Sequence, residues 1–163
     1  MEFTRNIQKS DYGMSGEVYI SLFNKYIRLE FNDNISVDYV HLCTDNLNSL
    51  GEETILAICN YLLLYCKDVM SNLSEVAFPE GLYNLSSPRE ILSFITPISL
   101  EVDKPDNWKI PALNLYCKCD WDQDNDLQIL INCNQVVYVG PFDGLNSWQK
   151  NLSQWNNYVV GSM

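Results

Sequence analysis

The segment Asp120-Trp121-Asp122-Gln123-Asp124-Asn125-Asp126 sets four carboxylates at alternate positions. A calcium loop opens in this way, because its first, third and fifth residues supply oxygen ligands. The match then fails at two places. Its sixth position is Asn125, where a sharp turn wants glycine, and its twelfth is Ile131, where a bidentate glutamate belongs. Asp and Asn equally favour the tight turn between two strands, where they hydrogen-bond the local backbone. A hairpin turn is the preferred reading. A calcium-like or small-ligand module stands as the alternative, and no metal ligand or cofactor is assigned.

Other chemistry finds less support. His41 is the single imidazole, so any serine or cysteine triad would have to recruit it. It sits among Tyr39, Val40 and Leu42, which favours a structural histidine, and no nucleophile-elbow sequence is present. The seven glycines are scattered and form no phosphate-cradling loop. Paired-carboxylate hydrolysis has abundant acids to draw on but no spacing that points to it. The six cysteines include one Cys117-x-Cys119 and no paired Cys-x-x-Cys motif, so neither zinc nor a disulfide framework is expected. Cys59 and Cys66 flank Leu62 on one helical stripe and read as small core residues. No catalytic residue is assigned, and a non-enzymatic role is expected.

The charge is the feature that narrows the partners. Twenty-one acidic residues against ten basic ones give a net charge of -11. Such a chain repels nucleic acid and anionic membranes, and suits a basic partner. The N-terminal Met1-Glu2-Phe3-Thr4-Arg5 lacks the features of a signal peptide, and the apolar run Ile55–Leu64 is too short for a bilayer span. A cytoplasmic location is expected, in which the Asn-x-Ser sequons at Asn34, Asn72, Asn84 and Asn151 carry no glycan.

The elements that must position these residues follow from periodicity. Gly16–Phe23 and Tyr26–Phe31 read as a hairpin turning at Asn24-Lys25, with Ile27, Leu29 and Phe31 on its buried face. Val40, Cys43 and Leu47 predict a helix capped by Ser36; a strand through Ile35, Val37 and Tyr39 is the alternative. Ser49 and Glu52 form a capping box for a longer helix, whose stripe runs from Ile55 to Leu73. Leu56, Leu63 and Leu64 widen that stripe, which suggests packing on more than one side. Ser87-Pro88 starts a short helix that Pro97 ends. Four strands then follow, at 98–102, 112–121, 127–132 and 136–140, and Trp148, Leu152, Trp155 and Val159 recur at helical spacing. The plan is a single α+β domain spanning 1–163. Its N-terminal hairpin and C-terminal meander form an antiparallel sheet, with the central helices on one face.

The stretch Ile110–Asp122, running into Leu127–Ile131 and Val136–Gly144 with Trp148 just beyond, carries a family likeness. It resembles a family of small bacterial domains of unknown function, many encoded beside polymorphic or contact-dependent growth-inhibition toxins. The likeness spans 97–148 most strongly. Where that family turns its hairpin with glycine, this chain has Asn125-Asp126. The resemblance implies an immunity protein that binds and neutralises a cognate toxin domain. If that toxin is a nuclease, its basic active site would meet an acidic, aromatic-bearing surface. Asp103, Asp106, Asp120, Asp122, Asp124 and Asp126 are the candidate contacts, with Trp108 and Trp148 as anchors. Trp121 reads instead as part of the core.

Overall fold

The computed structural model describes residues 2–159. Seven strands form one sheet in sequence order: β1 (Thr4–Ser10), β2 (Gly13–Ile20), β3 (Lys25–Phe31), β4 (Ile95–Val102), β5 (Ala112–Cys119), β6 (Leu127–Asn132) and β7 (Gln135–Pro141). All neighbours are antiparallel except β3 and β4, which run parallel with Leu29 opposite Leu100. A parallel pair cannot be joined by a tight turn. The crossover between them carries α1 (Val37–Leu47), α2 (Glu52–Asn72) and two 3-10 turns, Glu80–Tyr83 and Pro88–Phe94.

Strand alternation divides the sheet into two faces. Val18, Leu29, Leu100, Leu115 and Ile129 point to one face, where they form a single core with Tyr39, Val40 and Cys43 of α1 and Ile58, Leu62 and Cys66 of α2. The opposite face is polar over β1–β4. Over β5–β7 it is covered by the segment that follows β7, which seats Leu145 and Trp155 on Leu130 and Tyr138. The helices therefore lie on one face, as the α+β plan requires.

Several local expectations change. β1 had no signal in the sequence; it is an exposed edge strand broken by a register shift between Arg5 and Gln8. Such a shift blunts an edge against further pairing. β2 ends at Ile20, so Leu22 and Phe23 belong to the turn, and the hairpin closes on Asn24 at φ 52°. Ser36 does cap α1, accepting a hydrogen bond from the Tyr39 N–H, and the alternative strand does not form. The capping box does not form: Gly51 is the N-cap of α2, and Arg89 takes the Glu52 carboxylate. Leu56 and Leu64 stay 48% and 44% exposed, whereas Leu63 is partly buried against the core. Pro97 sits inside β4, at a register shift before Ser99 where the ladder does not need its missing N–H. The strand at 112–121 stops at Cys119. The tail forms only a 3-10 turn, Leu152–Gln154, in place of a helix.

That tail covers the edge of β7. The Tyr158 N–H donates to the Val139 carbonyl at 2.8 Å. The Asn157 side chain accepts from the Val139 N–H and donates to the Val137 carbonyl. Tyr158 then stacks on Tyr65 of α2 and its hydroxyl donates to Asp68. Asn157 thus stands in for backbone that an eighth strand would supply.

Candidate functional site

The eight residues singled out from the sequence do not meet at one place. Asp120–Asp126 form the turn between β5 and β6, whereas Asp103, Asp106, Trp108 and Trp148 lie beyond the other end of β5. Eight residues of strand separate the groups by about 25 Å.

At the hairpin end the carboxylates divide their work. Asp122 accepts a hydrogen bond from the Tyr65 hydroxyl, on the helical face of the sheet, and caps the turn through the Asn125 N–H. Asp126 accepts from the Tyr116 hydroxyl, on the opposite face. Alternate carboxylates drawn to opposite faces cannot converge on one ion, and among the described residues no three His, Cys, Asp or Glu side chains gather as a metal requires. The segment behaves as the hairpin turn. The two tyrosines are held neutral: burial pushes the Tyr65 phenol far up, with Asp122 adding to it, and Asp126 does the same for Tyr116.

The Asp120 and Asp124 carboxylates are left exposed with no hydrogen-bond or ion-pair partner among the described residues, Asp120 bonding only through its backbone N–H to the Phe94 carbonyl. Two more carboxylates join this end. Asp143 follows β7, and Asp68 of α2 closes on Tyr158, whose phenol burial, Asp68 and Asp122 together push up to about 12. Phe142, which precedes Asp143, stands 44% exposed, edge-on to Tyr116 with ring centroids 4.9 Å apart. Phe142, Tyr116, Asp68 and Asp143 were missed in the sequence. Phe142 had a signal, because it directly follows Pro141 at a strand end, where a core aromatic is not needed.

At the other end, two of the candidates turn inward. Asp103 accepts from the Ser147 N–H and hydroxyl and from the Asn114 side chain, so it fastens the segment after β7 to the sheet. Trp148 is half-buried, with its indole N–H buried and without a partner at hydrogen-bonding geometry. It lies against Tyr39, whose phenol burial pushes far up while Trp148 draws it down. Asp103 therefore serves the fold, and Trp148 turns away from the acidic surface toward Tyr39. Asp106 and Trp108 stay exposed; Trp108 rests edge-on against Tyr39 at 5.4 Å. Trp121 is 2% exposed and packs edge-on against Tyr65, the core role read from the sequence.

His41 is paired locally, its Nε2 lying 3.1 Å from the Thr4 hydroxyl and 3.5 Å from the Glu2 carboxylate. Five of the six cysteines are buried and none is in a disulfide. Burial lifts the Cys66 thiol to about 11 and the Cys117 and Cys119 thiols to about 12. Thiolates are the reactive form, so these positions are inert. A thiol-disulfide reagent is expected to titrate Cys133 alone in the native protein and all six cysteines in denaturant. Two or more fast native thiols would contradict the burial.

Among known proteins, the model of one family matches residues 2–146, and that family is described as a domain of unknown function, DUF6985. No curated protein matches, and no solved structure does.

Proposed function

From the premise that the chain belongs to the DUF6985 family, we propose that it is an immunity-type binding protein that neutralises a toxin domain with a basic active site. The observation that carries this reading is the built acidic hairpin. Asp122 and Asp126 spend their carboxylates fixing the turn to Tyr65 and Tyr116, which leaves Asp120 and Asp124 facing solvent, while Phe142, exposed, packs on Tyr116 and donates its N–H to the Asp126 carbonyl. A fixed charge pattern costs no reordering when a basic cleft arrives, and the net charge of -11 steers the encounter. Phe142 gives the apolar anchor that such an interface needs at its centre.

A standard interface covers about 800 Å² on each partner, so it spans one end of the sheet and not both. The reading places the contact at the hairpin and withdraws Asp103 and Trp148 from it. Asp106 and Trp108 become peripheral. Such a protein acts without catalysis and without a cofactor, in the cytoplasm where the toxin domain would act.

The test takes the protein encoded immediately upstream of this gene, where the reading expects a toxin-like reading frame. Its association with the purified chain is followed across ionic strength. Asp120→Asn combined with Asp124→Asn is expected to slow association about tenfold at low salt, with the fold intact. Asp106→Asn at the far end should change little. Association that is indifferent to salt, or equal losses from both variants, would remove the hairpin from the interface.

A further inference from the structure

We propose that the groove between the β6–β7 hairpin and residues 147–152 is a binding site for a small polyhydroxylated ligand carrying one acidic group, such as a sugar acid or a sugar monophosphate. The groove encloses about 390 Å³, within the range of small-molecule sites. Its polar lining comes from Asn132, Gln135, Gln149, Lys150 and Asn151, with Trp148 as the aromatic wall. Val137 and Leu152 supply the apolar floor.

The composition is what sets it apart. In a chain with twenty-one acidic residues, this lining holds no carboxylate, four side-chain amides and one cation. An amide offers a donor pair and an acceptor side by side, which matches vicinal hydroxyls that each give and take a hydrogen bond. A tryptophan face covers the apolar face of a pyranose ring. Lys150 provides a single point charge for one carboxylate or phosphate.

The arms are also set in place. Asn132 donates its side-chain N–H to the Ser147 carbonyl at 3.0 Å, which leaves its Oδ1 as a free acceptor. Gln149 accepts from the Asn146 N–H through its Oε1, which leaves its NH2 free to donate. Gln135 and Asn151 keep both ends of their amides unused among the described residues, and Asn151 is held at φ 59° in the left-handed region. Asp103 fastens Ser147 from beneath, so the wall carrying Trp148 is anchored to β4. The site lies at the end of the sheet opposite the acidic hairpin, so its occupancy does not depend on the toxin reading.

Titrations of the full chain with glucuronate, glucose 6-phosphate, glucose and inorganic phosphate, followed by the side-chain amide and indole N–H signals in NMR, test the assignment. The first two are expected to give saturable shifts at Asn132, Gln135, Gln149, Asn151 and Trp148, with dissociation constants of about 1 mM or below. Which of the two binds tighter identifies the acidic group. Glucose should bind about threefold more weakly, and Lys150→Gln should erase that difference. Cys133, exposed on the rim, adds a second readout, because bound ligand should slow its alkylation. Unsaturable or scattered shifts would overturn the site, and phosphate binding as tightly as glucose 6-phosphate would overturn recognition of the hydroxyls.

Discussion

Gln128→Leu is expected to lower the stability of the protein by about 4 kcal/mol, although the two side chains are close in size. Gln128 is 1% exposed and uses its full hydrogen-bonding capacity. Its NH2 donates to the Asn114 side-chain oxygen at 2.9 Å and to the Leu145 carbonyl at 2.8 Å. Its oxygen accepts from the N–H groups of Leu145 at 3.1 Å and Asp143 at 3.4 Å. Leucine fills the space and makes none of these bonds. The Leu145 N–H and the Asn114 oxygen are then buried without partners, at about 1–3 kcal/mol each. The loss reads out as a lower urea midpoint with an unchanged slope, together with faster exchange of the Leu145 amide. A loss below about 1 kcal/mol would mean that the segment after β7 is held by its apolar contacts alone.

Gly140→Ala is the second severe change, and its cause is steric. A Cβ at Gly140 would stand 2.2 Å from the Asn156 carbonyl oxygen and 2.9 Å from the Tyr138 hydroxyl. Normal contact is well over 3 Å, so the tail or the strand must move. The tail is the weaker of the two, being tied by the Asn157 side chain, one backbone hydrogen bond and the Tyr158 ring. The expected outcome is a loss of about 2–3 kcal/mol and a tail released from β7. Chymotrypsin should then cut at Trp155 or Tyr158 in the variant well before it cuts the parent. Equal protection in both would show that the strand yields instead.

Much of the α+β plan is legible because burial imposes a period. The Ile27-Leu29-Phe31 alternation and the Ile58-Leu62-Cys66 stripe each commit one side of an element to the core. β1 escapes because an edge strand with exposed Arg5, Gln8 and Lys9 buries too little to leave a pattern. The cap of α2 was misplaced because Glu52 has a better partner from outside the helix, the Arg89 guanidinium. A capping box is a local bargain, and a tertiary ion pair can outbid it. The site was harder still. Exposed aspartates look alike in sequence, so nothing distinguishes Asp103, which accepts three hydrogen bonds, from Asp124, which accepts none. The groove carries no sequence signal, since its amides come from two segments joined only by the fold.

The parallel pairing of β3 with β4 also sets a schedule for synthesis. β3 is complete at Phe31, and its neighbour begins only at Ile95. At ordinary translation rates the ribosome needs on the order of several seconds to make the chain between them. Through that interval Ile27, Leu29 and Phe31 have β2 on one side and no strand on the other, and a small open sheet is marginal by itself. The stretch from β4 to β7, by contrast, pairs each strand with the one just made. The nascent chain is therefore most exposed to aggregation and to chaperone capture in its first third, long before the acidic hairpin has left the tunnel.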